Sequence, residues 1–338
     1  APTNPLALTL ARQLYWQETA FPAMFARTRA ILPLAQYVAF VLCGSQVSEV
    51  SAWGAQTHLW APVARDYSAL ARQRSWTARF PPLRPAWEPL GRAAKLRLRG
   101  RATVLTGVHD SNANLLRYLG GPEFTLLSTG TWIIGFVPGI DIRQLDPASD
   151  QVSNTTVFGD PVASCRFMGG REFDLVADGA PADLANRETV RALLDRGVTA
   201  WPSFTTSGGP VPESWGRGHI EGAARGGRER ASLASLYCAQ MSALALRKIG
   251  SRSRVIVDGP FSDNDVYLEV LAACLPDQTI LAADEKNGTA VGAASLALMT
   301  GTAPTRAGHG QLRHIQAPFE LAQNARLASW FERISTYS

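Results

Sequence analysis

A chain of 338 residues, 46% hydrophobic and 18% charged, has apolar material for two folded cores and falls outside the disordered and fibrous classes. The net charge of +5 comes from scattered positive residues, only Lys95, Lys248 and Lys286 being lysines, with no Lys or Arg run interleaved with aromatics; a solvated surface is expected, not a nucleic-acid partner. Cys43, Cys165, Cys238 and Cys274 form no C-x-x-C pair, which argues for small buried hydrophobes over a zinc site or a disulfide framework. No apolar stretch reaches the ~20 residues of a membrane span and no basic segment precedes an apolar core at the start, so a cytoplasmic protein without a membrane partner is the expectation.

From Pro5 to Gln56, Leu6, Leu10, Leu14, Phe21 and Phe25 recur at helical spacing, with Pro22, Pro33 and Gly44 as punctuation, and predict two or three helices. Trp60, Tyr67 and Trp76 are widely spaced, a pattern that favours core packing over a ligand-stacking platform. Asp66-Tyr67-Ser68 reads as the N-cap of a helix through Arg74, and Pro81 to Pro85 as a loop. Then comes Val104-Leu105-Thr106-Gly107-Val108-His109-Asp110-Ser111-Asn112-Ala113-Asn114, an apolar run that ends in Gly-x-His-Asp and opens into a helix-compatible segment. That order puts a carboxylate at the C-terminal edge of a strand, where α/β proteins build their sites. Asp110 is the first catalytic candidate; alone, it suits a helix cap equally well.

The design repeats at Leu127-Ser128-Thr129-Gly130-Thr131-Trp132. Phe124 to Ser128 is strand-like, and the Thr-Gly-Thr turn offers N–H groups and hydroxyls to an anionic ligand, with a plain turn as the alternative. A second strand lies around Ile134, followed by a loop-rich region that is polar from Asp141 to Asn154. Ala182 to Arg196 and Ser232 to Ile249 read as amphipathic helices, the second with Leu233, Leu236, Tyr237, Met241, Leu244 and Ala245 on one face. Ser207 to Gly227, rich in Gly and Arg, reads as an ordered surface loop, favoured over a phosphate-touching patch. Arg254 to Val257 and Gln278 to Ala282 are predicted strands, Asp265 to Leu275 a helix, and Thr289 to Met299 a helix of small residues. No repeat of fixed period occurs.

Together with Val255-Ile256-Val257-Asp258-Gly259 and Asn287-Gly288-Thr289-Ala290-Val291-Gly292-Ala293-Ala294, these motifs resemble, in the family's order, the FGGY carbohydrate kinases. The Gly-x-His-Asp-Ser form and the Thr-Gly-Thr-Trp turn are more similar to the L-rhamnulose and L-fuculose kinase branch. The resemblance implies an α/β chain with the actin-like ATPase (ribonuclease H-like) fold, two lobes flanking a cleft. Residues 1–121 would be the C-terminal part of the N-terminal, sugar-binding lobe, and residues 122–338 the nucleotide-binding lobe. Gln13-Leu14-Tyr15-Trp16 is similar to the family's Lys-Leu-x-Trp signature, with Gln13 in place of lysine. The family's opening Asp-x-Gly-Thr hairpin, which approaches the ATP phosphates, has no counterpart before residue 100, so the N-terminal lobe is expected to be incomplete.

The resemblance also assigns roles. Asp110 would be the general base toward a sugar hydroxyl, with His109, Ser111 and Asn154 contacting the sugar. A backbone-satisfied buried histidine is the alternative for His109, and Asn154 sits in Ser153-Asn154-Thr155 where the branch has Thr-Asn-Glu. Thr129, Gly130 and Thr131 would face phosphates, and Gly259, Gly288 and Gly292 would border ATP, tight helix packing being compatible with the last two. Gly259-Pro260-Phe261 replaces the family's consecutive glycines, so purine contacts are expected to differ. ATP and Mg²⁺ are the implied cofactors, with no dedicated protein metal site. The implied partner is a small sugar, a ketose of the 6-deoxyketohexulose or pentulose type, and a homodimer is compatible. The rival expectation is a non-catalytic sugar- or nucleotide-binding protein of the same fold, silent for want of the hairpin. A dehydrogenase is disfavoured because no G-x-G-x-x-G follows a strand.

Overall fold

The computed structural model describes residues 9–93, 102–299 and 310–335. Its centre is a seven-stranded mixed sheet built from β1 (Phe124–Thr129), β2 (Ile133–Val137), β3 (Gln151–Thr155), β4 (Pro161–Phe167), β5 (Arg254–Asp258), β6 (Ile280–Ala283) and β7 (Leu312–Ile315). The spatial order is β7-β6-β5-β1-β2-β4-β3. β6, β5 and β1 run parallel, and every other neighbouring pair is antiparallel. β1 and β5 are apolar runs buried along nearly their whole length, as a parallel strand covered on both faces must be. Their register pairs Asp258 with Ser128, so the loops that follow the two strands emerge side by side at one edge of the sheet. That edge is where open α/β sheets hold ligands.

The helix Gly226–Ile249 is the spine of this lobe. It starts earlier than expected, and every residue from Ala231 to Leu246 is buried, so the one-faced amphipathic reading is corrected. The helices Gly169–Ala177, Arg187–Asp195 and Asp265–Cys274 pack around it, and small residues let them approach. A helix enclosed on all sides has no solvent face to mark it. Its hydroxyls are satisfied internally, Ser242 with the Tyr267 hydroxyl at 2.7 Å and Ser235 with the Ala231 carbonyl at 2.9 Å.

Other boundaries also shift. The 141–154 stretch is not mainly loop: it forms two short 3-10 turns and then β3, which pairs with β4 as an edge hairpin. The 182–196 helix is split, with a turn at Ala182–Leu184 and the helix proper starting after Asn186, whose side chain accepts the Thr189 N–H at 3.1 Å as an N-cap. Within 207–227, residues Ser207 to Val211 are buried and His219–Glu221 pairs with Thr199–Trp201, so this segment is not a surface loop throughout. The small-residue helix runs Gly288–Ser295 and tightens into a 3-10 turn.

The first lobe has helices at Leu10–Ala20, Pro22–Ala26, Leu34–Cys43 and Val50–Gly54, then short two-stranded pieces and the helix Ala69–Gln73 capped by Ser68. Residues 5–8 of the first expected helix lie outside the described residues. Trp53, Trp60 and Trp76 pack with Leu14 and Phe25 in one small core. Strand Thr103–Leu105 then leads through residues 106–109 into the helix Asp110–Leu116, which sits between the lobes. Cys165, Cys238 and Cys274 are buried and Cys43 is half-buried, all as free thiols. Among the described residues no helix is long and apolar enough to cross a membrane.

Candidate active site

Asp110 is the first residue of its helix, with His109 at the N-cap, and its side chain is 78% exposed. One carboxylate oxygen, Oδ1, is fixed by the Ser111 backbone N–H at 2.6 Å, the Ser111 hydroxyl at 3.3 Å and His109 Nε2 at 3.4 Å. Oδ2 has no hydrogen-bond partner among the described residues. One oxygen is therefore held and the other is offered to solvent. Burial pushes the His109 pKa down, partly offset by the Asp110 charge, which keeps the imidazole neutral at physiological pH. His109 Nδ1 is buried and has no hydrogen-bond partner among the described residues. The structure thus brings Asp110, His109 and Ser111 together.

Asn154 is not part of that group. It lies in β3, buried, and its amide donates to Ser164 Oγ at 3.0 Å within the sheet. Its neighbour Thr155 packs on Gly54 of the first lobe.

The helix of Asp110 is anchored to the seven-stranded sheet by a buried network that no local motif announces. Arg117 Nη1 meets Asp258 Oδ2 at 2.6 Å and Asn114 Oδ1 at 3.0 Å, the Tyr118 hydroxyl donates to the same Asp258 oxygen at 2.6 Å, and Asn114 reaches Ser128 Oγ at 3.4 Å. The Arg117 and Asp258 side chains are 0% and 3% exposed. Burial, and then the Asp258 charge, push the Tyr118 hydroxyl pKa up, so it remains a donor. Ser128 is the last residue but one of β1 and Asp258 the last of β5, and the residues after both strands turn away from the sheet.

That turn opens on a cavity of about 650 Å³ lined by Gly130, Thr131, Arg171, Asp174, Pro260 and Phe261, among others. The volume is within the range of nucleotide-sized pockets. The Gly130 carbonyl accepts the Gly170 N–H at 3.1 Å, which joins the β1–β2 turn to the start of the 169–177 helix. Of the residues expected to face ATP, Gly130 and Thr131 line this cavity. Thr129 lies beneath it: its hydroxyl donates to the Asp258 carbonyl at 2.7 Å and accepts the Phe261 N–H at 3.2 Å, so its proton is committed to the scaffold. Gly259 has φ +97 and abuts Thr129, whose carbonyl a Cβ would overlap. Gly288 and Gly292 face the Asp110 helix: a Cβ at Gly292 would overlap the Ala113 carbonyl, and one at Gly288 would meet Arg117, Asn114 and Asp258. They set the distance between two helices, and neither lines the cavity. Pro260 and Phe261 form part of the wall, the substitution for consecutive glycines seen in the sequence.

Sequence reasoning missed Arg117, Asp258 as an ion-pair partner, and Arg171 and Asp174 in the cavity wall. A charged residue inside an otherwise apolar stretch, such as Arg117 in Leu115 to Tyr118, was the available signal. Among the described residues no group of three or more His, Cys, Asp or Glu side chains could cage a metal ion.

Comparisons with known proteins agree with this architecture. The model of the carbohydrate kinase FGGY C-terminal domain matches residues 121–306. Among solved structures, a carbohydrate kinase from Novosphingobium aromaticivorans is 33% identical, with a TM-score of 0.79 over 97% of this chain and 73% of that one. The xylulose kinase of Rhodospirillum rubrum (19% identity, TM-score 0.70, 97% of this chain and 71% of that chain) shares the fold. So does the Plasmodium falciparum glycerol kinase solved with ADP (12% identity, TM-score 0.70, 96% and 71%). No curated protein sequence matches. The mixed α/β sheet is that of the actin-like ATPase fold. With more than half of its length in the family domain and a relative of this identity along nearly all of it, the chain belongs to the FGGY family of carbohydrate kinases.

Proposed function

We propose that the protein transfers the γ-phosphoryl group of ATP to a hydroxyl of a ketose, with Asp110 as general base. The observation that carries this reading is the placement of an exposed, half-anchored carboxylate on a helix locked by Arg117 to the strand ends that open on the cavity. As the ketose hydroxyl oxygen attacks the γ-phosphorus, its proton passes to Asp110 Oδ2, the bond to the β–γ bridging oxygen breaks, and ADP leaves. A Mg²⁺ ion arriving with the nucleotide would supply charge neutralisation. The chain's own part is largely positioning: Ser111 and His109 hold Oδ1, which aims Oδ2. Nucleoside lies in the glycine-lined cavity, with Gly130 and Thr131 nearest the phosphates. The Gly-x-His-Asp-Ser motif supports a 6-deoxyketohexulose, as in the rhamnulose and fuculose branch, and the xylulose kinase neighbours support a pentulose as the other substrate class.

A panel of both sugar types in a coupled ADP-release assay tests this. One class is expected to stimulate ADP release, and Asp110→Asn is expected to lower kcat by about 10²- to 10⁴-fold with ATP affinity unchanged in calorimetry. Retention of more than about a tenth of the turnover would place the base elsewhere. ATP binding with no ketose-stimulated turnover would favour the non-catalytic reading of the same fold.

A further inference from the structure

The segment between strand Thr103–Leu105 and Asp110 is held by backbone and by two buried side chains of the first lobe. Thr106 N–H donates to the Glu88 carbonyl at 3.0 Å and Gly107 N–H to the Ala86 carbonyl at 3.1 Å. Gln36 Nε2 donates to the carbonyls of Thr106 and Gly107 at 3.2 and 3.3 Å. The last N–H before Asp110, that of His109, donates to Ser51 Oγ at 3.4 Å. Ser51 Oγ in turn donates to Glu49 Oε2 at 2.6 Å. A hydroxyl has one proton, and giving it to Glu49 turns the lone pairs of Ser51 toward His109. Glu49 thereby fixes a rotor that would otherwise be free.

Capping alone does not account for this glutamate. Glu49 Oε2 also accepts the Ala52 N–H at 3.0 Å, but Ser, Thr, Asp or Asn serves that purpose without burying a long carboxyl side chain. Glu49 is 0% exposed, and its Oε1 has no partner among the described residues. Unpartnered burial of this kind costs stability and calls for another reason.

We propose that Glu49 is a positioning residue for phosphoryl transfer, acting through the Ser51 hydroxyl on the His109 N–H to set where the His109–Asp110 pair sits. This rests on Asp110 being the base. Glu49 touches neither substrate and acts only on the backbone that carries the base. Its neutral acid form keeps the Oε2 acceptor, so a glutamine, isosteric and neutral, retains the function. An alanine releases the Ser51 rotor.

The test is steady-state kinetics of Glu49→Gln, Glu49→Ala, Ser51→Ala and Asp110→Asn enzymes, with thermal transitions measured in parallel. Glu49→Ala and Ser51→Ala are expected to lower kcat about 10- to 100-fold while KM for ATP stays unchanged, because a small displacement of a reacting group costs rate before it costs affinity. Glu49→Gln is expected to keep kcat near the parent value. If Glu49→Ala fails to fold, Ser51→Ala, which deletes a single oxygen, decides the matter. Folded Ala variants with parental kcat overturn the proposal, as does a loss in Glu49→Gln equal to that in Glu49→Ala. An inactive Asp110→Asn beside unaffected Ala variants overturns the positioning role alone, whereas an active Asp110→Asn overturns the assignment of the base.

Discussion

Two carboxyl side chains are buried near opposite ends of the Asp110 helix, and their surroundings differ. Past its C-terminal end, Asp258 faces the Arg117 guanidinium and the Tyr118 hydroxyl, both at 2.6 Å. Before its N-terminal end, Glu49 faces no cation among the described residues and accepts the Ser51 hydroxyl and the Ala52 N–H. Burial therefore dominates at Glu49 and pushes its pKa up from 4.5 to about 7, against the smaller opposing effect of its hydrogen bonds with Ser51 and Ala52. A buried carboxylate with its own cation makes a fixed strut. Without one, the same chemical group is a contact whose charge responds to pH.

The largest effect is expected from breaking the strut. Asp258→Ala removes the buried carboxylate that faces the Arg117 guanidinium, and is expected to cost about 3–5 kcal/mol of stability by denaturant unfolding. A loss below about 1 kcal/mol would mean that Arg117 is not dependent on Asp258. The Glu49 side of the comparison is sharpened by pH. Both folded and unfolded states hold the proton below pH 4.5; between 4.5 and about 7 the unfolded state gives it up first, so stability falls as pH rises and levels off above about 7. The difference between parent and Glu49→Gln stability is expected to change by on the order of 3 kcal/mol across that window. Taking the difference removes the opposite trends from His58 and His109, whose pKa values are lowered. A flat difference would show that Glu49 is solvated.

The smallest of the three is Gly292→Val, expected to destabilise by about 1–3 kcal/mol through overpacking. Because Gly292 abuts the Ala113 carbonyl in the helix of Asp110, calorimetry is expected to show ketose affinity falling more than ATP affinity. The opposite order would put the 288–295 helix at the nucleotide.

Much of the site was readable from local order. The helix that opens at Asp110 is where the polar segment after Gly-x-His-Asp puts it, and the β1–β2 turn falls at Gly130–Trp132, because these features depend on neighbouring residues. The strand edge expected for Asp110 is corrected, since the strand is only Thr103–Leu105, in a two-stranded piece, and Asp110 is the first residue of the helix. Strands β1 and β5 were legible as short β-branched and apolar runs. β3 was not, since Gln151, Ser153 and Asn154 have the composition of a loop and become a strand only by pairing with β4. The 226–249 helix was legible as a helix, but its enclosure depended on three others.

By itself, then, the sequence determined the elements with strong local preference and singled out Asp110 as the candidate base. Tertiary structure alone decided the partners. Arg117 and Asp258 are 141 residues apart, and Ser51 and His109 are 58 apart, so no periodicity within one element pairs them. The helix Leu34–Cys43 makes the same point. Nearly every residue in it is apolar, yet Gln36 and Ala39 are its buried residues, while Leu34, Tyr37 and Val38 are 78%, 52% and 48% exposed. Hydrophobicity ranks side chains by what burial would gain, but the face that is covered is set by the backbone that packs there. Here that backbone is the Thr106–Gly107 segment, whose carbonyls need a donor, and Gln36 supplies it.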